Sequence, residues 1–268
     1  MTDAVDTPIT ATLNPAQGSN PVRLPATAMA ARPFRVQSQP GFVLHSYPYK
    51  ETSLIIDVFS RQYGRVALLA KGAKRPHSQL RGVLQTFQPL TFSWSGKSEL
   101  QTLTAAEWVG GMLPLEKNTL LCGFYLNEII IKLIQRDDPQ PLLFDDYVAT
   151  INQLAHAESA AIVLRKFELN LLKTAGVVND LSFCTKQRAS VFPEILYTVD
   201  PEAGTRPVQE NETVIKVHGK TLLDMQAQDY SDINTQQQSK LLMRSLLAHH
   251  LHGMPIHTRQ ILMDLQNL

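Results

Sequence analysis

The chain has 268 residues, of which 44% are hydrophobic and 18% charged, and its formal net charge is +1. This is enough apolar material for one large domain or two ordinary ones, and the overall charge predicts no particular partner. The two cysteines, Cys122 and Cys184, exclude a disulfide scaffold and a four-cysteine zinc site, and they are typical of a reducing cytosol. The apolar runs are too short for a membrane span, and the first thirty residues do not have the pattern of a secretory signal.

Residues 1–33 are rich in Thr, Ala, Pro and Asn and have no helical or strand periodicity. Burial of so few apolar groups could not offset the entropy lost on ordering them. We therefore expect a flexible N-terminal extension.

Residues 34–112 have the pattern of a small β-domain. Their alternating apolar residues predict five strands without a long helix, over Gly41–His45, Thr52–Ser60, Arg65–Lys71, Thr86–Ser95 and Leu100–Trp108. An OB-fold barrel is the most economical interpretation, although alternation alone does not separate it from an SH3-like barrel. Phe92 and Trp94 are predicted to fill the barrel core.

After residue 112 the apolar period becomes helical. Helices are predicted over Leu120–Gln135, Pro141–Leu154, Ser159–Ala175, Thr235–Leu251 and, more briefly, Thr258–Leu265. Residues 113–180 would form a helical domain that residues 235–268 complete. Residues 181–234 would form a small β-containing subdomain with strands at Ile195–Val199 and Thr213–Val217. The expected fold class is thus α+β and multidomain: an OB-fold barrel, a helical bundle and a small mixed third subdomain.

The small net charge hides an uneven distribution. Residues 34–112 carry nine Lys/Arg and four Asp/Glu, whereas residues 113–268 carry fourteen and eighteen. Between Arg61 and Ser98 there is no acidic residue at all, which is typical of a protein that binds a polyanion. The predicted DNA-binding residues are Arg61, Arg65, Lys71, Lys74, Arg75, Arg81 and Lys97, with Tyr63 as a base-stacking candidate.

The strand Arg65–Lys71 sharpens this prediction. Because side chains alternate along a strand, Val66, Leu68 and Ala70 would fill the core. Arg65 and Lys71 would then flank the small Ala67 on the outer face, which would let a phosphate backbone approach. An ordinary solvated loop remains the alternative for the cations that follow.

No catalytic constellation is visible, so neither an enzyme nor a bound cofactor is predicted. Gly96-Lys97-Ser98 lacks the earlier glycine of a phosphate-binding loop, because Thr91 stands in its place. A histidine cluster, His249, His250, His252 and His257, is interpreted as a polar helix end rather than a metal site, since no cysteine or carboxylate lies nearby in the sequence.

An ordered series of segments resembles the bacterial recombination and repair protein RecO family over about residues 40–265. Its first half comprises Gly41–Ser46, Glu51–Leu54, Asp57–Phe59, Gly64–Val66 and Ala70–Lys74. It continues through Leu84-Gln85, Pro89-Leu90, Leu113–Leu115, Tyr125–Glu128, Leu164–Glu168, Pro255 and Arg259.

The resemblance implies a non-enzymatic, cytoplasmic recombination mediator. Such proteins bind single- and double-stranded DNA, anneal complementary strands and engage the C-terminal tail of single-strand-binding protein. They act with RecR, and in concert with RecF, to load RecA on coated gaps. As a match of region and charge, the family's DNA-binding barrel face carries over to Arg61, Arg65, Lys71, Lys74, Arg75 and Arg81. Lys132, Arg165 and Lys166 are candidates for the tail site. Some members have a four-cysteine zinc finger in the third region. Here only Cys184 is present in that region, so no zinc is expected.

Three other functions stay open from the residues alone. The first is a general RNA- or tRNA-binding OB-fold protein. The second is a protein-interaction scaffold whose basic loop docks an acidic partner. The third is a metal-dependent hydrolase that uses the histidine cluster.

Overall fold

The computed structural model describes residues 35–156, 158–258 and 260–261, which all belong to one compact unit. The predicted extension and most of the predicted last helix lie outside these residues. Within the described ranges, no helix combines the length and the apolar character needed to cross a membrane.

The N-terminal part is a closed five-stranded barrel. Its strands are β1 (Arg35–Tyr49), β2 (Ser53–Ser60), β3 (Gly64–Ala70), β4 (Leu90–Ser95) and β5 (Leu100–Trp108). They follow the order β1-β2-β3-β5-β4 around the barrel, with β3 and β5 parallel and the other pairs antiparallel. This topology is that of an OB-fold, so the predicted fold class is confirmed.

The barrel interior follows the predicted alternation. Val66, Leu68 and Ala70 of β3 point inward, and Phe92 and Trp94 of β4 are fully buried beside them. A short helix, α1 (Gln79–Val83), lies between β3 and β4. Strand β4 begins later than the strand predicted from residue 86, because Thr86 forms only an isolated bridge with Val43 and Phe87 has a positive φ of 63°.

In the part of the chain that the structure describes, five longer helices follow the barrel. They are α2 (Lys117–Leu133), α3 (Pro141–Ala155), α4 (Ala160–Thr174), α5 (Gly219–Gln226) and α6 (Ile233–His250). Four of them lie within three residues of a predicted helix at each end. Helix α5 was not predicted, because its eight residues are too few for a clear helical period.

A second core joins the outer wall of the barrel to α2, α3 and α4. Phe42 and Phe59 point out of the barrel and pack edge-on against Tyr147, with ring centroids 5.3 and 6.0 Å away. Asn127 of α2 connects the barrel to α3, because it donates to the Leu44 carbonyl at 2.8 Å and accepts from the Tyr147 hydroxyl at 2.7 Å. One wall of the barrel is therefore covered by helices, and only the remaining surface is open to a ligand.

The third region has five short strands. They are β6 (Phe183–Cys184), β7 (Ala189–Ser190), β8 (Leu196–Asp200), β9 (Gly204–Pro207) and β10 (Val217–His218). The first predicted strand corresponds to β8. The second prediction, Thr213–Val217, was wrong, because only Val217 is in a strand. Strand β8 pairs with the short β10 on one side and with a hairpin strand, β9, on the other. The turn of this hairpin is held by Asp200, which accepts from the amides of Glu202 and Ala203.

This region is held together by side-chain packing. Cys184, Tyr197 and Val199 share a third core with Met243 and Leu246 of α6. The Cys184 side chain is 2% exposed and behaves here as a small apolar group.

Candidate nucleic-acid interface

The basic loop follows β3 and covers one end of the barrel. Gly72 has a φ of 70°, which glycine adopts without a steric penalty. The Lys74 amide donates to the Thr52 carbonyl at 2.8 Å, and the Arg75 amide donates to the Gly72 carbonyl at 3.0 Å. Ala73 between them is completely buried. These contacts fix the loop against the turn between β1 and β2.

Four of the predicted cations project from this loop and from α1 into solvent. None of them forms an ion pair with any acidic side chain in the described part of the chain. We call this group the open cations; it consists of Lys71, Lys74, Arg75 and Arg81. Their charge is therefore not offset by a described carboxylate and is available to a polyanion.

Lys50 is a fifth exposed cation at the same end, in the turn that the Lys74 amide holds. Its ammonium lies 5.4 Å from the ring centroid of Tyr49. Sequence reasoning missed it because it precedes Glu51 and lies outside the acid-free segment. The hairpin between β1 and β2, which pairs Tyr49 with Ser53, is the signal that could have placed it beside the loop.

Arg65 lies elsewhere, although the strand prediction placed it on the same outer face as Lys71. The residue is only 9% exposed, and its guanidinium donates from Nη1 to the carbonyls of Ile131 and Ile134, the latter at 2.9 Å. Both carbonyls belong to the C-terminal end of α2. The structure therefore uses Arg65 inside the protein, and the neighbouring Ala67 is buried as well, so a phosphate cannot approach there.

Arg65 is surrounded by other polar and charged side chains. Burial lowers its pKa, while the nearby Asp57 acts in the opposite direction. Asp57 is itself buried and accepts a hydrogen bond from Arg136 at 2.9 Å. Because a positive charge at a helix C-terminus is favourable, this site has the character of a structural cap rather than of a ligand site.

Arg61 is also engaged by the protein. Its Nε and Nη2 donate to the two carboxylate oxygens of Asp145 at 2.9 and 2.8 Å. This pairing raises the pKa of Arg61 and lowers that of Asp145. Asp145 belongs to α3, so this ion pair is a second contact between the barrel and the helices.

The last two predicted residues lie apart from the open cations. Lys97 is exposed in the turn before β5, and that turn meets the barrel where Leu100 pairs with Ala67. Tyr63 is half-buried, and its ring packs edge-on against Trp94 with centroids 5.2 Å apart. Tyr63 is thus part of the barrel packing, and the structure does not bring it together with the loop.

A cleft of about 300 Å³ opens between the basic loop and α1. Its walls are the aliphatic side chains of Leu54, Leu80 and Leu84, and Ala73 also lines it. Lys74 and Arg81 line the same cleft. Two of the open cations therefore border an apolar depression.

A second cleft, of about 200 Å³, lies between α4 and α6. Its lining residues are Ala161, Ile162, Arg165, Tyr230, Gln236 and Lys240. Of the three predicted tail-binding residues, only Arg165 lines it, and Arg165 also forms an ion pair with the buried Glu168. Lys166 is half-buried on the same helix outside this lining.

The third tail candidate, Lys132, holds a different part of the chain. It forms an ion pair with Glu128 at 2.6 Å and donates to the Pro255 carbonyl. Glu128 in turn accepts from the amides of His257 and Thr258 at 2.8 and 2.9 Å. These donors outweigh the effect of burial and lower the pKa of Glu128 to about 2.

The histidine cluster does not assemble a metal site among the described residues, where no group of three His, Cys, Asp or Glu side chains is placed to hold an ion. Burial is the main cause that lowers the pKa of His250, and the neighbouring His249 adds to it.

The chain matches two family models that together cover nearly all of the described residues. The model described as "Recombination protein O N terminal" matches residues 35–112, and the one described as "Recombination protein O C terminal" matches residues 116–256. The chain belongs to the RecO family. The resemblance found in the sequence is thereby confirmed.

Named relatives agree with this assignment. The DNA repair protein RecO of Burkholderia pseudomallei is 53% identical over the full length of both chains. The DNA repair protein RecO of Burkholderia orbicola is 58% identical over 88% of this chain and 85% of its own length. The one from Ralstonia nicotianae is 56% identical over 87% of this chain and 86% of its own length. The chain is accordingly a DNA repair protein of the RecO family.

Proposed function

We propose that the chain is a recombination mediator without catalytic activity, which binds single- and double-stranded DNA and anneals complementary strands in the cytoplasm. The observation that carries this proposal is the group of open cations on the basic loop and α1, whose charges are not paired with any described carboxylate. Phosphate contacts supply most of the sequence-independent affinity for DNA, and exposed Lys and Arg side chains make them.

The same cations give a mechanism for annealing. Two strands that approach each other repel through their phosphates. A surface that neutralises the phosphates of one strand reduces this repulsion, so that a second strand can pair with it. Because each bound phosphate releases counterions, affinity for a single strand should fall by about 0.7 log units per log unit of salt for each phosphate bound.

The second part of the proposal concerns the C-terminal tail of single-strand-binding protein, which the family resemblance describes as acidic and ending in Phe. The cleft between α4 and α6 supports this docking site. Ile162 and Tyr230 offer an apolar wall for an aromatic side chain, and Lys240 offers a charge for the tail carboxylates. Joint action with RecR, and with RecF, to load RecA on coated gaps rests on family membership.

Strand annealing tests the first part. Complementary oligonucleotides coated with the cognate single-strand-binding protein would be mixed with the protein, and duplex formation followed at several salt concentrations. The test variant carries Lys71→Gln, Lys74→Gln, Arg75→Gln and Arg81→Gln. We expect slower annealing. The slope of log single-strand affinity against log salt should become shallower by about 0.7 for each phosphate that the variant no longer binds.

A matched control removes the same charge elsewhere. It carries Gln at four exposed cations outside the barrel, Lys186, Arg188, Lys216 and Arg244. We expect this control to anneal as the unmodified protein does. Equally slow annealing by both variants would show that only net charge matters, and an unchanged test variant would move DNA binding away from the loop.

Peptide binding tests the tail site. Reversing Arg165 would leave the buried Glu168 facing a second carboxylate, so Lys240→Glu is the cleaner change. We expect it to weaken binding of a fluorescent peptide with the tail sequence by about tenfold or more, because each 1.4 kcal/mol of interaction free energy is tenfold in affinity. Lys186→Glu is the control with the same charge change, and equal affinities in the two variants would contradict this placement.

A further inference from the structure

The cleft beside the basic loop has a shape and a chemistry that simple phosphate binding does not need. Leu54 at the start of β2 and Leu80 and Leu84 around α1 form aliphatic walls, while Lys74 and Arg81 stand beside them. Flat cationic surfaces suffice to hold a phosphate backbone, and an apolar depression between the cations calls for an apolar group on the ligand.

Contacts within the chain hold the walls of the cleft in place. Its three leucines pack partly against the barrel core, and the buried Ala73 anchors the loop. The loop itself is closed by successive turns, in which the Ser78 amide donates to the Arg75 carbonyl at 3.1 Å and the Arg81 amide to the Ser78 carbonyl at 3.2 Å. A ligand would therefore not have to order this part of the chain, which saves the cost of immobilising it.

The size and the charge of the cleft select one kind of occupant. Its volume of about 300 Å³ is at the lower end of the range for small organic ligands, which is about 300–1,000 Å³. A heterocyclic base fits within this volume and has apolar faces, and in a nucleic acid it is flanked by two phosphates. The segment from Arg61 to Ser98 contains no acidic residue, so these phosphates would meet no described carboxylate of that segment.

We propose that this cleft holds one unpaired base of a single DNA strand between its leucines, while Lys74 and Arg81 bind the flanking phosphates. This inference rests on the proposed function and adds a base-binding subsite to it. A base in a duplex is stacked and paired and cannot enter. The subsite thus favours single strands over duplex, and the base has to leave the cleft when its complement pairs with it, which releases the annealed product.

Oligonucleotides with and without bases separate the two contributions. Single strands of equal length, one normal and one abasic, carry the same phosphates, and their affinities for the full chain would be compared at fixed salt. We expect the unmodified protein to bind the normal strand at least fivefold more tightly. Leu80→Ala, which removes one wall, should reduce this ratio to about twofold or less.

Leu69→Ala is the matched control, because Leu69 is a half-buried leucine of β3 that does not line the cleft. The Leu69→Ala variant should have the same ratio of normal-strand to abasic-strand affinity as the unmodified protein. Leu84→Ala removes a second wall and provides an independent variant in case Leu80→Ala does not fold. A strand with 2-aminopurine gives a second readout, since insertion of this base should change its fluorescence in the unmodified protein and not in the wall variants.

The outcomes distinguish the two proposals. If normal and abasic strands bind equally well, DNA binding stands and the base subsite is refuted. A ratio that Leu80→Ala and Leu84→Ala both leave intact would place base recognition elsewhere. If neither strand binds, the proposed function itself fails.

Discussion

Strand β3 carries cations at both of its ends, and the two ends serve different purposes. At its first end, Arg65 and the preceding Arg61 are paired with groups of the helices. At its other end, Lys71 and the open cations that follow it meet no described acidic partner. A count of positive residues therefore does not locate an interface. What matters is which charges the fold has already compensated.

The first end is closed by the segment that follows α2. The Asp137 amide donates to the Arg65 carbonyl at 2.9 Å. Gly64, with a φ of 64°, leaves no room for a side chain, because an added Cβ would lie 2.0 Å from the Asp138 carbonyl oxygen. The chain therefore comes into close backbone contact at this end, and Arg65 satisfies the carbonyls that the end of α2 leaves without intrahelical donors.

The largest expected effect comes from breaking this closed end with Arg65→Met. The change leaves the carbonyls of Ile131 and Ile134 without their donor and leaves Arg136 as the cation paired with the buried Asp57. We expect the free energy of unfolding to fall by about 2–4 kcal/mol, as for the removal of a buried charged donor. Urea unfolding monitored by circular dichroism measures this change.

Lys71→Met likewise replaces a cation by methionine, at the open end, and is the control. It should leave the urea midpoint where it is and lower single-strand affinity. Arg65→Met should do the reverse, with a lower midpoint and an unchanged affinity of the folded protein for DNA. If folded Arg65→Met bound single strands as weakly as Lys71→Met does, the division between the two ends would be refuted.

The sequence predicted the barrel far better than it predicted this division. Alternation identified Val66, Leu68, Phe92 and Trp94 as core residues. Every second side chain of a barrel strand points inward, so the local sequence pattern is enough to find these residues. The acid-free segment also indicated where the open cations lie. In both cases the decisive information is contained within one continuous stretch of the chain.

The use of Arg65 could not be predicted in that way. Its partners lie 66 and 69 residues further along the chain, and alternation gives the face of a strand without saying what covers that face. The same reason explains Arg61, whose partner Asp145 is 84 residues away. The clefts are likewise products of packing between distant elements, which no periodicity encodes.

The smallest expected effect comes from Arg61→Gln. This ion pair is largely exposed, with side-chain exposures of 43% for Arg61 and 50% for Asp145, and such pairs add little to stability. Because the pKa of Asp145 is lowered in the folded protein, the contribution of its charge is present above the ordinary carboxyl pKa and is lost as the pH falls through the lowered one.

At neutral pH, Arg61→Gln should therefore shift the urea midpoint only slightly and leave the salt dependence of DNA affinity unchanged, since the guanidinium already has its counter-charge. Asp145→Asn sharpens the comparison further, because it frees Arg61 without removing it. If bound DNA stays at the open end, the slope of affinity against salt will be the same in both variants. A slope that steepens by about 0.7 in Asp145→Asn, the value for one additional bound phosphate, would show that the DNA extends along the whole of β3 and that Asp145 competes with it for Arg61.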